Sequence, residues 1–142
     1  MMRWIVIVAL GLFVGCGKSD SKPAAQQGKG PTAPATPFPR QVATSLKKAG
    51  LRVSAFEVAA ARPYDAATCA KGEVDRLDVL MCEFADAAAS QKAEKKLEQF
   101  AAGAVSGGTR RAGNRVLVVA DRNKTDLEGK GINRVLTAFA GQ

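Results

Sequence analysis

VDRLDVLMCEFA, residues 74–85, is the stretch on which the fold turns, because it is apolar at both parities of an extended chain. Side chains of a strand alternate between its two faces. Leu77, Val79 and Met81 therefore share one side, and Leu80, Cys82 and Phe84 the other. A strand wetted on one side alternates apolar with polar residues, whereas this one reads as a central strand covered above and below.

Working outward toward the C-terminus, Asp86 is placed to cap a helix over Ala87–Ala102 by accepting from its free N–H groups. The buried stripe of that helix would be Ala89, Ala93, Leu97, Phe100 and Ala104. Thr109–Ala112 and Arg115–Ala120 form an expected hairpin around Gly113-Asn114, a pair that tolerates positive φ. Its second arm is again apolar on both faces. Thr125 and Glu128 have the spacing of a capping box for a last helix, with Ile132, Val135, Leu136 and Phe139 along one side. Toward the N-terminus, Ala59–Gly72 reads as a connection with one helical turn near Asp65–Cys69. Before it come a strand over Leu51–Val58 and a short helix over Gln41–Ala49 that stops at Gly50. The order is α-β-β-α-β-β-α. It predicts an α+β domain, a two-layer sandwich of about four mainly antiparallel strands with three helices on one face. That arrangement leaves the second apolar side of residues 74–85 unexplained. Either the helices divide between the two faces, or one side is covered by the first helix, by the 59–72 connection or by a partner subunit.

The domain so defined spans residues 40–142. Residues 16–39 read as a disordered tether, with five of the six prolines and Phe38 as the one large apolar residue after Cys16. Such a composition buries too little surface to offset the entropy of ordering. Met1–Gly15 has the parts of a secretory signal: Arg3, an apolar run from Trp4 to Phe13, and small residues before Cys16. The run is too short to span a bilayer, which takes about 20 residues. Phe13-Val14-Gly15-Cys16 resembles the lipobox of bacterial lipoprotein precursors, with Phe13 where that family usually has Leu. The resemblance implies a diacylglycerol on the Cys16 thiol, cleavage before Cys16 and a palmitate-type acyl group on the new amine. Gly17 stands where Asp would mark inner-membrane retention. The resemblance thus implies an outer-membrane, periplasm-facing anchor if the host has two membranes.

Once Cys16 is assigned to lipid, Cys69 and Cys82 remain as an even pair in a compartment that permits disulfides. A structural staple is expected. The 142-residue chain has no histidine, which removes His-based nucleophile activation, acid–base catalysis and imidazole metal sites. No metal site and no cofactor are expected. Losing Arg3 with the signal leaves 20 basic against 13 acidic residues, a net charge of +7. After export the polyanions within reach are anionic lipids and wall polymers; nucleic acid is not expected as a partner.

Two charge clusters are candidate sites. Glu73, Asp75, Asp78, Glu83 and Asp86 could supply paired carboxylates for glycoside hydrolysis, or serve as strand-end and salt-bridge residues. Arg110, Arg111 and Arg115 surround one hairpin turn and could contact anions, or simply protect a sheet edge from aggregation. The Gly103–Thr109 segment lacks the Lys and the strand-to-helix setting of a phosphate loop. The reading adopted is a non-enzymatic, lipid-anchored envelope protein with a binding or scaffolding domain. Its membrane partner is reached through Cys16, and another envelope protein, anionic lipid or wall polymer is a further partner. The alternatives are a wall or glycan hydrolase using the acidic cluster, and a carrier with an apolar cavity lined by Leu97, Phe100, Val118 and Phe139.

Overall fold

The computed structural model describes residues 37–141; the signal, Cys16 and most of the expected tether lie outside the described residues. In chain order the elements are α1 (Pro37–Lys48), β1 (Glu57–Ala59), β2 (Thr68–Val74), β3 (Leu77–Glu83), α2 (Ala87–Glu98), β4 (Ser106–Ala112), β5 (Arg115–Asp121) and α3 (Lys130–Ala140). Single 3-10 turns lie at Arg62–Tyr64 and Gln99–Ala101. The strands form one antiparallel sheet in the order β1-β2-β3-β5-β4, with β3 in the middle.

Both sides of β3 are covered, as its composition requires. Leu77, Val79 and Met81 join Leu117 and Val119 of β5 beneath α1 and α3. Leu80, Cys82 and Phe84 join Val116 and Val118 beneath α2, with Tyr64 and Ala61 of the connection at the margin. The expected two-layer sandwich is therefore corrected. The helices split between the faces, two on one and one on the other, because an apolar surface left bare on either side would face water. The sheet also has five strands rather than about four.

The fifth strand is β2, formed by the end of the expected 59–72 connection together with Glu73 and Val74. Asp75 and Arg76 both take positive φ, 49° and 69°, as the two central residues of a tight hairpin turn. Val74 pairs with Leu77 across it. Residues 68–72 of that partner strand, β2, correct the expected connection; TCAKGEV is poor in strand-forming residues and gives little local signal. Its Gly72 is required by packing: a Cβ there would meet the Phe56 ring at 2.6 Å. Conversely, the strand expected over Leu51–Val58 reduces to β1 and an isolated Val53–Val74 bridge. Leu51 is buried instead with α1 and α3.

The β4–β5 hairpin turns at Gly113-Asn114 as expected, though β4 starts earlier, at Ser106. The domain also starts earlier than Arg40. Pro37 and Pro39 fall in the first turn of α1, where a missing N–H costs nothing. This brings Phe38 into the core beside Val42 and Leu46, at 2% exposure. The Arg115 guanidinium lies 5.0 Å from the centroid of the Phe38 ring. Phe38→Ala should therefore lower stability by about 3–5 kcal/mol in urea denaturation. A loss of less than about 1 kcal/mol, within the range of surface substitutions, would place Phe38 outside the cooperative core.

Candidate functional site

Cys69 and Cys82 sit directly opposite each other on β2 and β3. They form a disulfide with a Cα–Cα distance of 4.2 Å, and both are buried on the α2 side of the sheet. The staple thus joins two strands already paired by their backbones. Helix α2 is held over it by a cap and a tie. Asp86 Oδ1 accepts from the Ala89 N–H at 2.7 Å, as the sequence predicts. The buried Ser90 Oγ lies 3.0 Å from the Gly113 carbonyl, linking α2 to the β4–β5 turn.

The structure disperses the acidic cluster. Asp75 accepts from the backbone N–H and guanidinium of Arg52, Asp78 binds Arg122 at 2.8 Å, and Glu83 binds Arg115 at 3.0 Å. Glu83 projects to the α1/α3 side and Asp78 to the α2 side, at opposite ends of β3. Glu73 and Asp78 face each other directly across β2 and β3. They share an open groove of about 610 Å³ with Glu57, Lys71, Phe100 and Arg122. Arg122 also stacks over the Phe100 ring at 4.7 Å and donates to the Phe100 carbonyl. Like charges facing across a sheet are unfavourable, and Arg122 offsets this pair. Among the described residues, no group of three or more Asp, Glu, Cys or His is placed to hold a metal. The apolar cavity does not form either: Leu97 and Val118 lie in the core under α2, and Phe139 in the core under α3.

Of the three hairpin arginines, Arg110 and Arg115 lie on the α1/α3 side of the sheet and Arg111 on the α2 side. Arg115 is fixed by Glu83, by the Phe38 ring and by Gln41 Oε1 at 3.4 Å. Arg110 and Arg111 are exposed on opposite sides of the edge strand β4. A second groove, of about 560 Å³, runs along α3 beside the segment that follows α1, lined by Leu51, Lys130, Asn133, Arg134 and Thr137. Sequence reasoning did not find it. Its lining comes from α3 and from Ala49 and Leu51, some eighty positions apart and joined only by packing.

The other feature missed is Asp121. It ends β5 with its side chain fully buried. Burial pushes its carboxyl upward, but hydrogen bonds from the Thr125 and Asp126 N–H groups, the Thr125 hydroxyl and the Asn123 N–H outweigh that and hold it below the ordinary carboxylate range. Thr125 is thus committed to Asp121 and makes no capping box with Glu128. The N–H of Ile132 in α3 is satisfied instead by Asp126 Oδ2 at 2.7 Å. An Asp closing an apolar strand, followed within five residues by Asn, Thr and Asp, is the only local signal of this arrangement.

No family model, curated protein or solved structure matches this chain.

Two outcomes follow from this geometry. Replacing both cysteines with alanine should cost about 2–4 kcal/mol, and both thiols of the native protein should resist alkylation until it is reduced and unfolded. Asp121→Asn should lower the melting temperature by about 5 °C or more near neutral pH, since an amide cannot accept all four bonds. The wild-type carboxyl titrates below its unfolded value of about 3.9. Its contribution is therefore complete above that value and drains away as pH falls through the lower folded value. The gap between wild type and variant should close correspondingly in melts taken from pH 7 down to pH 2.

Proposed function

We propose that this chain is a bacterial lipoprotein, held at the cell envelope by acyl chains on Cys16, whose domain binds or scaffolds without catalysis. The observation that carries the reading is the buried Cys69–Cys82 disulfide. Disulfides form and persist in oxidising, extracytoplasmic compartments, which accords with a signal at the N-terminus. It also uses the two other cysteines and leaves Cys16 for lipid. The dispersal of the acidic cluster into ion pairs and a helix cap supports a binding role over hydrolysis. The split of Leu97 and Phe139 between two cores weighs against an apolar carrier.

One acyl chain binds a bilayer only marginally, while two or three hold a protein stably. The expected location is the periplasmic side of the outer membrane in a host with two membranes. The native protein extracted from membranes should begin at Cys16, carry added acyl mass and, having lost Trp4, show no tryptophan fluorescence. Cys16→Ser should abolish fatty-acid labelling. A native form of unmodified mass, or one that still contains Trp4, would refute the anchor.

A further inference from the structure

Of the described residues, 17 are Lys or Arg and 12 are Asp or Glu, a net charge of +5. That excess is not spread over the surface. Helix α1 carries Arg40, Lys47 and Lys48, α3 carries Lys130 and Arg134, and neither contains a carboxylate. The remaining elements and loops hold 12 cations and 12 anions, so they are neutral as a set. All five cations are exposed. Lys130 pairs with Glu128, just outside α3, and the other four make no ion pair among the described residues. Thr44 of α1 and Asn133 and Thr137 of α3 supply neutral exposed positions, and the groove along α3 is lined by Lys130 and Arg134. Helix α2, on the other side of the sheet, mixes Lys92, Lys95 and Lys96 with Glu94 and Glu98.

We propose that the α1/α3 layer is a docking face for an anionic lipid bilayer, the one to which Cys16 anchors the chain. This rests on the lipoprotein reading above, which makes that bilayer the nearest polyanion. The chain outside the described residues favours this occupant. Residues 17–36 join Cys16 directly to α1, the first element of the basic layer. Chain geometry alone limits 20 residues to a span of at most about 70 Å, so covalent attachment keeps the face near the surface. Tethering turns weak contacts into an effectively intramolecular equilibrium. Screening over about 8–10 Å then means that only charges brought to the surface count. A domain whose excess charge sits on two neighbouring helices is oriented by such a field; one with scattered charge is merely attracted.

The test uses the whole mature chain, residues 16–142, with Cys16→Ser so that no acyl chain contributes. It should sediment with phosphatidylcholine vesicles containing about one third phosphatidylglycerol, and not with phosphatidylcholine alone. K47Q/K48Q/K130Q/R134Q should weaken that partition by at least about fiftyfold, since each cation near an anionic surface is worth a factor of about five. R62Q/K71Q/R76Q/R111Q removes the same charge from elsewhere and should weaken it far less. On the wild-type chain, needing no substitution, vesicles should protect Lys47, Lys48 and Lys130 from amine acetylation and leave Lys71 and Lys92 reactive. Equal loss in the two variants, uniform labelling, or no binding to the anionic vesicles would overturn the proposal. So would retention on polyphosphate by a chain that ignores vesicles, which would assign the face to a wall polymer. If the native protein carries no acyl group yet binds vesicles through this face, the anchor reading fails and the docking face stands.

Discussion

The structure depends on one constraint: two of its strands, the central β3 and its neighbour β5, are apolar on both sides. Nothing in water tolerates such a pair bare, so each face must be roofed. Two amphipathic helices close one face and a third helix closes the other, with the connection around Tyr64 filling the margin. The rest of the sheet is subordinate to this. β1 is a three-residue edge, and β4 is an exposed, glycine-containing and arginine-bearing edge. Short or charged edges of this kind discourage further strands from adding.

Polar groups decide where the helices sit once the apolar core has demanded that they be there. Arg115 is bonded to Glu83, set against the Phe38 ring and within reach of Gln41, so it fixes the first turn of α1 against the sheet. Asp121 gathers the loop after β5, and Asp126 within that loop satisfies the start of α3. Ser90 and Asp86 do the same for α2. Among the described residues, no buried side-chain nitrogen or oxygen is left without a partner. These groups lie at element ends, where backbone donors and acceptors would otherwise be orphaned.

Placing two helices on one face and one on the other also sorts the charge. Neither α1 nor α3 has a carboxylate, whereas α2 balances lysine with glutamate. The sheet thereby separates a basic layer from a nearly neutral one. Helices scattered around a barrel or bundled together would not keep that division. The basic layer is also where the N-terminal segment enters the domain, which couples electrostatic orientation to the point of attachment in the lipoprotein reading.

Local pattern determined much of this protein. The parity of Leu77–Phe84, the Gly113-Asn114 turn, the Asp86 cap, the Ile132–Phe139 stripe and the even pair of cysteines were all legible, because each is a short-range signal of period or spacing. The α+β class followed from them. What pattern could not determine was set by contacts distant in sequence. TCAKGEV became β2 because Phe56 needs the space that Gly72 leaves and Cys82 supplies a partner for Cys69. The proline-containing start of α1 became core because Phe38 finds Arg115 and the sheet. Within the acidic cluster and the arginine trio, each close in sequence, Glu83 parted from Asp78 and Arg111 from Arg110 because strand residues of opposite parity point to opposite faces. The basic layer assembled from two distant helices instead. Periodicity states which side of an element is apolar; only packing decides what covers that side, and so which charges share a surface.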